Sequence, residues 1–408
     1  MEKLHKYILL KKGKPPIVSN DSMTFEAPYL TPEYLRNADS ATMCRVSQNS
    51  IIVENGDLIL LWDGSNAGEV FYAKYGVLSS TMVKLIIVKP IDKTFLYYLL
   101  KNQEGGIKSA TSGSGIPHVD KKLLGELEIP PFELHEQGNI ARILSNVDDY
   151  IISINNLISK YQRLKTGLMQ DLLTKGIDEN GNIRSEKTHK FKDSPVGRIP
   201  IEWNIKRLDE CSNVVISNVD KKYHASEIPV QLCNYMDVYS NEEISEKLSF
   251  MLASATRDEI NKFSLKKGDV IITKDSETPD DIAIPAYVNA DIDDLVCGYH
   301  LALIRPKPSF LIGEFLNKLL QMSFYKKYFG ALATGSTRFG LSQGAIKNAA
   351  IVLPSIKEQE RIIEVLSLQS KQIKEQKLRL NKYTRLKNGL MQDLLTGKVR
   401  VSPEVLVE

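Results

Sequence analysis

The chain has 408 residues, 42% hydrophobic and 25% charged, and a formal net charge of +3. That length is too great for one ordinary core, and the composition is that of a soluble globular protein with about two folded units and connecting elements. The net charge by itself says little about nucleic acid. A spanning segment is excluded, because no apolar run reaches transmembrane length and the N-terminal MEKLHKYILLKKGK is too short in apolar residues for a signal peptide.

Charge is unevenly placed along the chain. Phe71 to Lys122 carries eight Lys/Arg against three Asp/Glu, and Leu301 to Lys347 carries seven against one. Between them, Asp275 to Asp294 holds seven acidic residues and no basic one. Mild basic zones in a near-neutral chain suit a phosphate-contacting surface. The cysteines Cys44, Cys211, Cys233 and Cys297 stand singly, without a CxxC pair, which reads as a reduced, cytoplasmic protein lacking structural zinc.

In chain order, Gly56-Asp57-Leu58-Ile59 opens an apolar, β-branched run that reads as a buried strand. Phe95-Leu96 with Leu99-Leu100 gives a short helix pattern, and Thr111-Ser112-Gly113-Ser114 gives a polar loop before a segment closing at Pro131. Glu136-Gln137 follows, then Ile140, Leu144, Val147, Ile151, Ile154, Ile158 and Tyr161 in alternating steps of four and three. This heptad seam continues, with a shift, through Leu164, Leu168 and Leu172, and predicts a helix of about 40 residues, roughly 60 Å long. Lys175 to Pro200 is polar, with Gly and Pro, and reads as a linker.

The second half then repeats the first. LKTGLMQDLLT (Leu164 to Thr174) recurs as LKNGLMQDLLT (Leu386 to Thr396), identical at ten of eleven positions and offset by 222 residues. The same offset links Glu136-Gln137 to Glu358-Gln359, Ile140 to Ile362, Leu144 to Leu366 and Ile151 to Ile373. Upstream the copies diverge: Gly268-Asp269-Val270-Ile271, Phe315-Leu316, Thr334-Gly335-Ser336-Thr337 and Pro354 match the anchors above at drifting offsets. Insertions therefore fall in loops on a persistent scaffold, as two copies reading different targets would need. Gln369 and Gln376 stand where the first seam has Val147 and Ile154. Two such helices most simply pack on each other, antiparallel because a globular domain intervenes.

Catalytic patterns are absent or broken. No GxxxxGK[ST] phosphate loop occurs. Ile129-Pro130-Pro131-Phe132 resembles the Pro-Pro-aromatic tetrad of amino-methyltransferases but has Ile where an amide or carboxylate must hold the amine. Asp269, Asp275 and Glu277 look faintly like a nuclease metal site, with Pro279 where a Lys is required. His118 and His300 have no catalytic partner type nearby in sequence, and Gly113-Ser114-Gly115 makes no nucleophile elbow. The chain is read as a non-catalytic protein without metal.

Three features carry a resemblance to the specificity subunits of type I restriction-modification enzymes, and it covers essentially the whole chain. These are the Pro lead-ins to Glu136-Gln137 and Glu358-Gln359, the paired GLMQDLLT helix ends, and Asp193-Ser194-Pro195-x-Gly197-x-Ile199-Pro200-x-x-Trp203 before the second domain. The first domain lacks a clear copy of that last motif. The implied fold is α+β: two β-rich mixed target-recognition domains separated by two long antiparallel coiled-coil helices, a pseudo-twofold internal repeat. The expected divisions are a first recognition domain at 1–132, a spacer helix at 133–175, a linker at 176–200, a second domain at 201–354, a second helix at 355–398 and a tail at 399–408.

In that family each domain reads one half of a bipartite, asymmetric double-stranded DNA site and the helices fix the gap. The resemblance implies docking of two methyltransferase subunits, with two restriction/translocase subunits able to join. S-adenosylmethionine, ATP and magnesium belong to those partners. Expected DNA contacts are Lys74, Lys108, Thr111, Ser112, Ser114, Lys221, Lys222, Lys326, Lys327, Ser336, Thr337 and Arg338, small polar residues and flanking cations on loops. Arg338 is the first choice for base reading, since its planar fork suits guanine O6 and N7. Leu168, Met169, Leu172, Leu390, Met391 and Leu394 are the expected partner-docking residues. The competing readings are a coiled-coil interaction scaffold without specific DNA recognition and a self-sufficient methyltransferase, the latter opposed by the missing motifs.

Overall fold

A computed structural model describes residues 1–15, 26–36, 40–111 and 116–401. The chain divides into two compact units, one formed by Met1–Leu157 with Gln376–Glu408 and the other by Ile158–Glu375.

In the first unit, the central antiparallel sheet has the order β1-β7-β4-β5, where β1 is Ile8–Lys12, β4 Leu58–Leu61, β5 Val70–Tyr72 and β7 Met82–Ile87. A second sheet places β2 (Glu26–Leu30) antiparallel to β3 (Met43–Arg45) and parallel to β6 (Gly76–Leu78). The unbroken apolar run of β4 is explained by burial on both faces. Leu58 and Leu60 enter the core beneath α2 (Lys93–Ser109), while Ile59 and Leu61 enter a second core with Leu30, Val53 and Leu78. The five-residue helix α1 (Pro32–Arg36) follows β2, and α3 (Leu134–Thr174) is 41 residues long.

The second unit repeats that strand order. Its main sheet contains β8-β14-β11-β12, with β8 Ser212–Ile216, β11 Val270–Thr273, β12 Pro285–Val288 and β14 Leu301–Pro306. Beside it, β9 (Ile228–Cys233) runs antiparallel to β10 (Met251–Ala255) and parallel to β13 (Leu295–Cys297). Val270 and Ile272 face one core and Ile271 the other, the same division as along β4. The helices are α4 (Tyr235–Tyr239), α5 (Gly313–Leu320), α6 (Ser323–Leu332) and the 40-residue α7 (Ile356–Leu395). All four cysteines are buried free thiols. No helix among the described residues is long and apolar enough to cross a membrane.

The repeated Glu-Gln pair proves to be a clamp. Gln137 is 5% exposed; its Oε1 accepts from the Asp92 backbone N–H and its Nε2 donates to the Phe132 carbonyl, both at 2.9 Å. Gln359, fully buried, accepts from the Ile312 N–H and donates to the Phe310 and Pro354 carbonyls at 2.9, 2.9 and 3.0 Å. Each amide thus ties the start of a long helix to the loop before α2 or α5, satisfying backbone groups that burial would otherwise orphan.

The glutamates hold segments that follow the ends of long helices. Glu136 accepts from two Arg400 nitrogens, Nε at 2.7 Å and Nη2 at 2.6 Å, and from the Val401 N–H. Glu358 is paired with Arg184 and accepts from the Ile177 N–H at 3.0 Å and the Trp203 indole N–H at 3.2 Å. Within the first unit, α3 and α7 also meet through Asp148–Lys387 at 2.6 Å and the Tyr150–Tyr383 rings. Within the second, Gln369 Nε2 donates to the Tyr161 carbonyl at 3.4 Å, which gives the polar seam residue a partner.

The Arg400 guanidinium, opposed by partial burial, holds the Glu136 carboxyl below its ordinary value of 4.5. A depressed folded-state pKa contributes stability that is present above the unfolded value and lost as pH falls through the folded one. Unfolding of the first unit is therefore expected to become easier below about pH 4.5. Glu136→Gln should flatten that part of the acid dependence in denaturation measured at successive pH values.

Candidate nucleic-acid interface

Several segments of the second unit converge on a cleft of about 390 Å³ lined by Lys221, Tyr235, Met236, Tyr239, Asp275, Ser276, Glu277, Asp281, Tyr299, His300 and Arg338. The hairpin strands Thr334–Gly335 and Phe339–Gly340 place Ser336, Thr337 and Arg338 at an exposed tip. That hairpin is added antiparallel to Asp275–Ser276, just beyond β11. Lys221 comes from the loop after β8, and its Nζ lies 5.9 Å from the Tyr299 ring centroid. Arg338 and Lys221, far apart in sequence, are therefore brought to one cleft, where both charges remain accessible.

His300 sits in the left-handed region at φ 69°, a conformation that is costly for a residue with a Cβ. Its Nδ1 is 2.5 Å from Asp275 Oδ2, and Lys274 Nζ bonds both oxygens of the same carboxylate at 2.8 and 2.7 Å. A carboxylate only accepts, so Nδ1 carries the proton and Nε2 is the ring atom left for another partner. The imidazole also lies 3.9 Å from the Tyr299 ring. Sequence alone left His300 without a partner; the structure corrects this, because Asp275 reaches it across neighbouring strands.

Of the suspected metal carboxylates, Asp275 and Glu277 line this cleft and Asp269 is committed elsewhere. Asp269 is 1% exposed and is bonded by Arg305 Nε and Nη2 at 2.7 and 2.6 Å. Among the described residues no group of three or more His, Cys, Asp or Glu could hold a metal ion.

Other expected contacts lie outside this cleft. Lys222 is exposed, and its backbone N–H donates to Asp220. Lys326 and Lys327 project from α6, whose Tyr325 and Phe329 face inward at 2% and 1% exposure. In the first unit, exposed Lys74 places Nζ 4.3 Å from the Tyr34 ring centroid. Lys108 donates to Asn66 Oδ1 at 2.7 Å, and Thr111 Oγ1 to the Lys108 carbonyl at 3.0 Å. Ser112 and Ser114 lie outside the described residues. Tyr235, Tyr239, Tyr299 and His300 were missed by sequence reasoning, because nothing in their local pattern separates a wall residue from a packed one.

The expected docking residues pack, wholly or in part, against the two cores. Leu172, Met391 and Leu394 are 1%, 8% and 4% exposed, and Leu168, Met169 and Leu390 pack against the same cores. Leu168, Met169 and Leu172 close the core of the second unit, and Leu390, Met391 and Leu394 that of the first. The GLMQDLLT repeat is therefore kept by intramolecular packing. Exposed apolar side chains on the two helices are Leu134, Ile152, Leu164, Leu368, Leu378 and Leu386, at 45% or more.

The fold repeats one strand order in two units, and comparison with known proteins supplies the class. The family model for the type I restriction modification DNA specificity domain matches residues 6–165 and 182–382. The type I restriction enzyme MjaVIII specificity subunit of Methanocaldococcus jannaschii is 34% identical over 401 residues, 97% of this chain and 91% of that protein. The putative MjaX specificity subunit of the same organism is 27% identical over 78% of this chain and 72% of its own length. Among solved structures, the type I restriction-modification S subunit of M. genitalium superposes with a TM-score of 0.56 at 17% identity, covering 96% of this chain and 95% of that one. A chain from work on assembly and conformational transition of a type I system gives 0.55 at 16% identity, covering 98% and 97%. The last two establish the fold alone. The chain belongs to the type I restriction-modification DNA specificity family, and its role is that of a specificity subunit.

Proposed function

We propose that each unit reads one half of a bipartite, asymmetric double-stranded DNA site, and that the two long helices form an antiparallel coiled coil that sets the gap. The repetition of one strand order in two units with different clefts carries this reading. Base edges specify and phosphates position, so a rigid scaffold with variable walls and nearby lysines provides both functions. The protein itself performs no catalysis. Two methyltransferase subunits dock on it through the exposed apolar residues of the helices, and two restriction/translocase subunits join them. S-adenosylmethionine, ATP and magnesium are assigned to those partners, and the assembly works in the cytoplasm.

A scaffold without DNA recognition would behave differently in salt. Affinity of the assembled complex for its site is expected to fall steeply between 50 and 200 mM salt, with a logarithmic slope of about 0.9 per phosphate contact. Arg338→Ala should weaken binding about tenfold to a hundredfold at fixed salt while leaving the fold intact, because the side chain is exposed. Salt-independent binding, untouched by that substitution, would favour the scaffold.

A further inference from the structure

Strand register puts the two units into correspondence where their sequences show no likeness. Leu61 is the register partner of Met82, and Thr273 of Leu301; Leu30 pairs in parallel with Leu78, and Cys233 with Cys297. Counting outward from these pairs, Asp63 falls on Asp275, and Ser80-Thr81 falls on Tyr299-His300. The five-residue helices α1 and α4 also coincide, so that Glu33 meets Met236 and Arg36 meets Tyr239. A backbone bond repeats as well: the Trp62 N–H donates to the Thr81 carbonyl at 2.7 Å and the Lys274 N–H to the His300 carbonyl at 2.9 Å.

Glu33, Arg36, Asp63, Ser80 and Thr81, and their counterparts Met236, Tyr239, Asp275, Tyr299 and His300, line a cleft in their own unit. The first-unit cleft measures about 310 Å³ and includes Thr31, Glu33, Arg36, Asp63, Ser80 and Thr81. It occupies the same place on the scaffold as the cleft of the second unit. Its aspartate is common to both, whereas the walls differ in kind. One wall offers hydroxyls, with Ser79 and Thr81 oxygens 2.9 Å apart; the other offers a phenol and an imidazole. Strand order and register are held constant while the cleft-facing chemistry changes; the backbone differs at His300, whose φ of 69° is not shared by Thr81.

From this juxtaposition, and resting on the proposed half-site reading, we infer that the shared cleft is the recognition site of each unit. Ser80 and Thr81 in the first unit, and Tyr299 and His300 in the second, are the specificity-determining residues. Asp275 is a positioning residue: it fixes the imidazole so that Nε2 faces the cleft. Hydroxyls contact several base edges, whereas an oriented imidazole and a nearby arginine discriminate more narrowly.

The test uses the full chain co-expressed with its methyltransferase subunits, read by sequencing methylated bases in host DNA. Tyr299→Ser with His300→Asn, a residue that tolerates the left-handed φ of 69°, should relax or change one or two base pairs of one half-site, lowering preference there about tenfold to a hundredfold. The other half-site and the gap should stay as they were, and Thr81→Val should alter only that other half. If the double variant fails to fold, Met236→Ala takes its place, since that side chain is 56% exposed on the same wall. Unchanged half-sites in the variants would overturn the inference. Absence of any bipartite motif with the unmodified chain would instead overturn the half-site reading on which it rests.

Discussion

Arg184→Ala is expected to destabilise the second unit by about 3–5 kcal/mol, the cost of leaving a buried charge without its partner. The two side chains of the pair are only 10% and 9% exposed, so water cannot take over for the missing guanidinium. Glu358 would keep the Trp203 indole N–H and the Ile177 N–H, two neutral donors that do not balance its charge. Trp203 itself is 1% exposed in the core of that unit, so a shift of the carboxylate disturbs packing as well. Chemical denaturation should show a lowered midpoint. Arg400→Ala should have a smaller effect on the first unit, since the Arg400 side chain is 63% exposed. Equal effects, or none for Arg184→Ala, would contradict the assignment of Glu358 as a buried clamp.

Lengthening both helices should change the gap between half-sites while leaving the half-sites themselves alone. Four residues inserted after Leu157 and four after Glu375 add about one turn, roughly 5.4 Å, to each helix. At 3.4 Å of rise per base pair this corresponds to about one or two base pairs. These positions fall at the boundaries between the two units. An insertion near Thr174 would instead disrupt Leu172 and Leu173, both 1% exposed, and test stability more than spacing. A selection from randomised-gap DNA would report the preferred spacing, and an unshifted preference would dissociate the helices from the gap.

The architecture was legible where the sequence repeats itself. The heptad residues Ile140 and Leu144, with Ile362 and Leu366, marked helices whose cores they do enter. Glu136-Gln137 and Glu358-Gln359 were visible as a repeated pair, but their clamps depend on partners such as Asp92, Ile312 and Arg184 that no local pattern supplies. The GLMQDLLT rows looked like a docking surface because an apolar stripe carries the same signal whether it meets a partner or its own chain. Arg338 and Lys221 could be named one at a time as exposed cations. That they share a cleft with His300 is set by strand register and a hairpin, which sequence spacing does not encode.

The most direct test of the central claim is co-expression with type I methyltransferase subunits, followed by single-molecule sequencing of methylated adenines. One bipartite motif with a fixed gap, lost when this chain is omitted, is the predicted result. A stable complex that methylates without any motif, or with the same motif when this chain is absent, would contradict it.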